Sequence, residues 1–286
     1  MSIVVKDLKH IYSKNGPFER VAITDVSFVI EDGDFVGLIG HTGSGKSTLI
    51  EHLNGLLKPD EGQILIDGTD ITAKDCRLAD IRTKVGLVFQ YPEYQLFEET
   101  VYKDIAYGPS NMGLSQDEIQ RRVFEAADFV GLGGDIMNRS PFDLSGGQKR
   151  RVAIAGVLAM EPSVLILDEP TAGLDPAGRN DLLASLKALH KQKNITIILV
   201  SHSMEDIADT VEKVMVMSKG TLVCFGPKNE VFAKSSMLRK LGLDTPQICS
   251  VIDFFKEKGY AFPEDTYNVE KAADIIFDII KGAKNA

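Results

Sequence analysis

Three stretches of this sequence set chemistry-bearing residues at informative spacings. The first, Gly40-His41-Thr42-Gly43-Ser44-Gly45-Lys46-Ser47, fits the pattern of a phosphate-binding loop. Its glycines let the backbone curl until successive N–H groups point at phosphate oxygens, and a helix starting there sets its positive end against the anion. Lys46 supplies a point charge for outer phosphates and Ser47 a hydroxyl for magnesium, with Thr48 next in the same helix. His41 lies inside the loop, among the nucleotide-binding residues, but has no evident part in catalysis. The second stretch, Val164-Leu165-Ile166-Leu167, ends in Asp168-Glu169. A buried strand that delivers two acids at its end is costly unless they meet something cationic there. Beside a magnesium triphosphate, Asp168 would hold the metal through its water shell, and Glu169 would orient and deprotonate an attacking water. Alone, the pair reads equally as a helix cap or a solvated turn.

The third stretch, Leu144-Ser145-Gly146-Gly147-Gln148, precedes Lys149-Arg150-Arg151 and is a second glycine turn opening a helix. By itself a Ser-Gly-Gly turn is a plain N-cap. Next to the first loop it becomes a second anion site, and one triphosphate hardly needs two cradles in one chain. The economical reading is that it binds the nucleotide of a second subunit.

The elements that must carry these loops follow from the apolar pattern. Phe35-Val36-Gly37-Leu38-Ile39, Val85-Gly86-Leu87-Val88-Phe89, the strand before Asp168 and Ile195-Thr196-Ile197-Ile198-Leu199-Val200 are short apolar runs separated by helical segments. Runs apolar on both faces predict a parallel α/β sheet covered by helices. Ile3-Val4-Val5, Val26-Ser27-Phe28-Val29-Ile30 and Ile64-Leu65-Ile66, with Asp-Gly turns nearby, predict a smaller antiparallel sheet. Between the second and third parallel strands the pattern turns helical, over about 91–157. Beyond Gly226-Pro227, Asp253-Phe254-Phe255-Lys256-Glu257 and a segment from Val269 to Lys281 predict amphipathic helices. The expected division is therefore 1–225 for the main domain and 226–286 for a small helical appendage.

Bulk properties narrow the class. The 286 residues carry 32 basic and 41 acidic side chains, a formal charge of -9, which argues against a general nucleic-acid binder. Hydrophobic residues make up 44%, enough for an ordinary packed core. Cys76, Cys224 and Cys249 are scattered without metal-ligand spacing and read as reduced thiols. The N-terminus has no apolar signal core, and no apolar run approaches the ~20 residues a membrane helix needs. A membrane role would require docking on another protein.

Taken together, the motifs resemble the ABC ATPase family over about the first 225 residues. The resemblance implies a P-loop NTPase: a RecA-like parallel core, an antiparallel β subdomain and a helical subdomain. It makes residues 40–47 the Walker A loop, Gln90 the Q-loop glutamine that senses magnesium and water, and residues 144–148 the signature. It further makes Asp168 the end of the Walker B strand, Glu169 the catalytic base and Ala172-Gly173-Leu174-Asp175 the D-loop. His202 becomes the switch histidine that meets the γ-phosphate, and Tyr12 the ring stacked on adenine. The cofactors implied are ATP and Mg2+. Ser47, Gln90 and Asp168 form the metal set, Lys46 and His202 assist Glu169, and Ser145, Gly146, Gly147 and Gln148 serve the partner subunit's ATP.

After Gln90 the chain runs Tyr91-Pro92-Glu93-Tyr94-Gln95-Leu96-Phe97-Glu98-Glu99-Thr100-Val101, mixing aromatics with acids where ABC ATPases meet their membrane partners. This segment and the Gly-His-Thr-Gly loop are similar to the ATPases of energy-coupling factor transporters, importers of vitamins and transition metals. That likeness implies a heterodimer with a paralogous ATPase, an integral-membrane scaffold contacting residues 91–101, and a membrane substrate-binding subunit. The appendage would help hold the dimer, on the cytoplasmic side of the cell membrane. Two readings compete: a soluble ABC ATPase of the cluster-assembly type, and a conventional importer ATPase. An ordinary P-loop kinase or GTPase would leave the signature and His202 unexplained.

Overall fold

The computed structural model describes residues 2–263, 266–267 and 269–284. Its centre is a six-stranded sheet whose order shows why the apolar runs had to be apolar on both sides. Strands β1 (Ile3–Tyr12), β2 (Arg20–Ile30), β4 (Glu61–Ile66) and β5 (Thr69–Asp70) form an antiparallel sheet in the order β2-β1-β4-β5. The central sheet takes β3 (Phe35–Ile39), β6 (Val85–Val88), β7 (Val164–Asp168), β8 (Thr196–Val200), β9 (Lys213–Ser218) and β10 (Thr221–Pro227). Its order is β10-β9-β3-β8-β7-β6, parallel from β9 to β6, with β10 antiparallel at one edge.

Every residue of β3, β7 and β8 is buried, and alternate residues go to different cores. Val164 and Ile166 of β7 pack toward the antiparallel sheet, in one cluster with Ile3, Val5 and Ile64. Leu165 and Leu167 face the other way, into a cluster with Ile105, Val123, Ile154 and Leu186. The side-chain period of two therefore splits one continuous apolar run between a sheet-on-sheet layer and a helical layer. Gly37 has its own reason to lack a side chain: a Cβ there would sit 2.9 Å from two carbons of Ile207.

The helices are α1 (Lys46–Leu53), α2 (Leu78–Lys84), α3 (Val101–Asn111), α4 (Gln116–Phe129), α5 (Gly146–Leu158), α6 (Pro176–Lys193) and α7 (Met204–Thr210). The segment after β6 is indeed helical: a 3-10 turn at Pro92–Gln95, then α3, α4 and α5 packed on one another. Thr100, Ser115 and Ser145 each cap the helix that follows by accepting a backbone N–H. At the C-terminus come α8 (Lys228–Phe232), α9 (Ser235–Lys240), α10 (Gln247–Glu257) and α11 (Val269–Lys284). Val231, Phe232 and Leu238 still belong to the main core, whereas Ile252, Phe262 and Ala272 build a small separate one. The strand β10 runs on to Pro227, so the change from sheet to helices falls at Lys228. Among the described residues no helix is long and apolar enough to cross a membrane.

Candidate functional site

The parallel strands all deliver their C-terminal ends to one side, where the loop between β3 and α1 wraps into a cradle. Gly43 and Gly45 lie at φ 77° and φ 104°, a region closed to ordinary side chains without strain, and Gly45 is the N-cap of α1. Thr42, Gly43, Gly45, Lys46, Ser47 and Thr48 line a cleft of about 350 Å³. The opposite walls come from Tyr12 on β1, Gln90 after β6, Asp168 at the end of β7 with Glu169 just beyond it, and His202 after β8. Three sequence-distant strand ends thus meet the loop at a crevice, the usual place for ligands in open α/β sheets.

The electrostatics of this cleft depend on burial. Lys46 is buried; its Nζ donates to the carbonyl oxygens of Gly40 at 2.6 Å and His41 at 3.2 Å. Desolvation lowers its pKa, and the nearby Glu169 and Asp168 pull it back up. Asp168 is also buried, and desolvation raises its pKa against the opposing effects of Lys46 and a hydrogen bond with Ser47. Glu169 sits at φ 51°, a sparsely populated region for a residue with a Cβ, and its N–H donates to the Val200 carbonyl at 3.0 Å. Its Oε1 lies 3.4 Å from His202 Nε2 without hydrogen-bond alignment. Burial pushes the Glu169 carboxyl up to about 7. Desolvation and Lys46 both lower the pKa of His202.

The remaining residues of the loop have other surroundings. Ser44 is fully buried, and the His41 ring turns away from the cleft, Nδ1 2.8 Å from the Thr42 carbonyl and Nε2 3.4 Å from Ser218 Oγ. Tyr12 is partly exposed, and its hydroxyl lies 3.2 Å from Thr48 Oγ1. The His10 and Tyr12 rings pack in a T-shaped pair with centroids 4.5 Å apart.

Ser145, Gly147 and Gln148 do not reach this cleft. They line a second one of about 940 Å³, together with Gly173, Leu174 and Asp175. Here Ser145 Oγ accepts from the Gln148 N–H at 3.3 Å and Gln148 Oε1 accepts from the Ser145 N–H at 3.1 Å, a reciprocal capping box. Gly146 and Gly147 have open space where a Cβ would lie, so this helix end is bare toward solvent. A further groove of about 960 Å³ lies at the opposite, N-terminal ends of the parallel strands, with mixed charges and no cradle of amides.

The metal-holding capacity is of a particular kind. Among the described residues no group of three or more His, Cys, Asp or Glu could form an all-protein cage. Ser47, Asp168 and Gln90 share the first cleft and offer hard oxygen donors only. Few protein oxygens, with the rest of the shell left to phosphate and water, is the pattern that suits magnesium.

Sequence reasoning missed Arg20 and Ala22, which complete the wall beside Tyr12. Arg20 pairs with Tyr12 across β1 and β2 and reaches over Gly43, whose added Cβ would lie 3.4 Å from a guanidinium nitrogen. The only signal available was the hairpin register, which seven intervening residues, 13–19, obscure.

Two clefts on one chain, an amide cradle with carboxylates and a separate capped glycine turn, define an ATP-binding cassette. The ABC transporter family matches residues 23–172. The energy-coupling factor transporter ATP-binding protein EcfA2 of Clostridium perfringens is 55% identical over 98% of this chain and 99% of its own. Its counterpart in Caldanaerobacter subterraneus is 53% identical over the whole length of both chains. Among solved structures, cbiO1 of Clostridium perfringens, described as part of the ABC transporter complex cbiONQ, is 39% identical. It superposes with a TM-score of 0.74 over 88% of this chain and 98% of its own. A dimeric ATP-binding cassette bound to ADP and Pi is 29% identical, with a TM-score of 0.72 over 79% of this chain and 98% of its own. This chain belongs to the ABC transporter family, among the energy-coupling factor transporter ATP-binding proteins, and is an ATPase.

Proposed function

We propose that this chain pairs with a paralogous ATPase and powers uptake of vitamins or transition-metal ions through a membrane scaffold and a separate substrate-binding subunit. Tyr12 stacks on adenine, and the amides of residues 40–47 hold the phosphates. Arg20 stands over Gly43, where it adds positive charge beside the triphosphate. Lys46 exchanges its two loop carbonyls for the outer phosphate oxygens, a favourable trade because a buried ammonium gains most from an anion. Ser47, Asp168 and Gln90 would hold magnesium, which shields phosphate charge and orients the leaving group.

Glu169 takes the proton of the attacking water. Its raised pKa makes it a stronger base than an exposed carboxylate while leaving much of it ionised near neutrality. His202, whose pKa is lowered by partial desolvation and by Lys46, steadies the γ-phosphate beside it. The signature residues Ser145, Gly146, Gly147 and Gln148 reach the γ-phosphate of the partner's ATP, so the dimer stays closed only while that phosphate is attached. The single observation that carries this reading is the separation of the two clefts: one chain offers half of each composite site.

The force leaves through residues 91–101. Tyr91, Tyr94 and Phe97 are exposed there, in a patch with Tyr107. Aromatic anchors rimmed by Glu98 and Glu99 suit a scaffold helix that presents arginines, while Glu93 turns inward onto Arg150. Residues 1–225 would form the motor and 226–286 the dimer-stabilising appendage. The exposed Phe254, Phe277 and Ile280 offer that appendage an apolar surface. The assembly would lie on the cytoplasmic side of the cell membrane, and no nucleic acid is involved.

The test is to tag the chain, solubilise native membranes gently and identify what co-purifies. A second ATPase with a scaffold and small membrane proteins at stoichiometric amounts is expected. Recovery without any integral membrane protein would leave an ATPase of the soluble type.

A further inference from the structure

Arg150 is a buried cation with no place in the chemistry above. It lies on α5, one turn past the signature, and is 4% exposed. Its Nε and Nη2 donate to the two carboxylate oxygens of Glu93 at 3.2 Å and 3.0 Å, a bidentate clamp. Its Nη1 donates to the carbonyl oxygens of Pro170 and Ala172. A guanidinium removed from water is tolerated only when its donors are satisfied, and this one is held by groups from two other segments.

The two segments are the ones the proposed mechanism needs to connect. Glu93 belongs to the 3-10 turn Pro92–Gln95, between the exposed Tyr91 and Tyr94. Tyr91 itself sits at φ 55°, so the turn is held in a backbone shape that its surroundings must enforce. Pro170 and Ala172 bracket Thr171 immediately after Glu169, and the Ala172 N–H donates back to the Glu169 carbonyl at 3.1 Å. Thr171 Oγ1 in turn donates to Asp206 Oδ2 at 3.0 Å, on the helix that follows His202. A continuous line of hydrogen bonds therefore runs from the aromatic segment through α5 to the loop of the catalytic carboxylate.

We propose that Arg150 is the positioning residue that ties the 91–101 segment, the signature helix and the Glu169 loop into one moving unit. Engagement of a membrane partner then sets turnover and leaves ATP affinity alone. The inference rests on the reading that this segment docks the scaffold. Lysine cannot replace Arg150, because an ammonium cannot grip Glu93 with two parallel bonds and also reach the carbonyls on the far side. Glu93→Gln keeps an acceptor for Arg150 but removes its counter-charge, so the Glu93→Gln/Arg150→Gln double variant, which buries no charge, serves if the single variants fold poorly.

The experiment compares the wild-type chain with Arg150→Lys, Arg150→Gln, Glu93→Gln and the Glu93→Gln/Arg150→Gln double variant, each assembled with its membrane and ATPase partners in lipid nanodiscs. ATP turnover is measured with and without the membrane subunits, and ATP affinity by calorimetry on the full-length chain. Each variant is expected to lose stimulation by the membrane subunits by about twofold to thirtyfold, the span of coupling carried by single linking residues. ATP affinity should stay within about twofold, and the double variant should be no worse than Arg150→Gln, since coupled partners are not additive. Wild-type stimulation in both Arg150→Lys and Glu93→Gln would overturn the proposal. So would a loss of turnover that only tracks lost ATP binding or lost complex. If the wild-type complex itself shows no response to the membrane subunits, the docking reading fails and takes this one with it. A responsive wild type with equally responsive variants removes Arg150 alone.

Discussion

The carboxylate of Glu169 and the imidazole of His202 stand 3.4 Å apart at the ends of adjacent strands β7 and β8, which run parallel with Asp168 opposite Val200. The pairing brings a carboxylate and an imidazole to one point, although 32 residues of chain lie between them. A hydrogen bond from the Glu169 N–H to the Val200 carbonyl fixes the turn that makes this possible.

Glu169→Gln is expected to leave ATP binding intact and to abolish steady-state turnover, because the amide has nearly the same shape and cannot accept the proton of water. Single-turnover hydrolysis and nucleotide binding separate the two effects. Undiminished hydrolysis in this variant removes Glu169 as the base.

The burial that raises Glu169 to about 7 predicts the acid side of the pH profile. A base works only when deprotonated, and a raised pKa keeps it protonated to a higher pH. kcat/KM, which reports the free enzyme, should therefore climb about tenfold per unit below about pH 7 and flatten above it. A flat profile between about pH 6 and about pH 8 would exclude Glu169 as the titrating group.

Tyr12→Ala should weaken ATP binding by about 1–3 kcal/mol, roughly fivefold to 150-fold, the usual worth of one aromatic ring against a base. Tyr12→Phe keeps the ring and loses only the 3.2 Å contact with Thr48, so its affinity should remain close to wild type. Calorimetric titration of both variants decides the point: equal losses would mean that the hydroxyl, and not the ring, holds the site.

Ser145→Ala removes one arm of the capping box on α5 and should cost about 1 kcal/mol of stability. Because Ser145 lines the second cleft and not the first, ATP affinity of the isolated chain should be unaffected while turnover of the assembled dimer falls. A matched fall in affinity for its own nucleotide would place Ser145 in the wrong site.

Much of the site was legible because phosphate binding is done by contiguous backbone. The loop before α1 and the turn before α5 each lie within eight contiguous residues, so glycine spacing alone marks them as candidates. The acids at the end of β7 could be read because they interrupt a run otherwise buried on both faces. Arg20 escaped, because its place beside Tyr12 depends on how β1 and β2 register across an irregular hairpin. Arg150 escaped for a related reason: its partners, Glu93 and the carbonyls near Ala172, lie 57 and 22 residues away in the chain.

The sequence by itself determined which groups were present: the amide cradle, the lysine, the paired acids and the signature turn, along with the strands and helices that carry them. Tertiary structure alone decided what those groups became. It directed the signature into a different cleft from the loop, turned His41 away toward Ser218, and buried Glu169 deeply enough to move its pKa. The physical reason is that local backbone geometry follows from nearby residues, whereas desolvation and the meeting of distant charges exist only once the strands have packed.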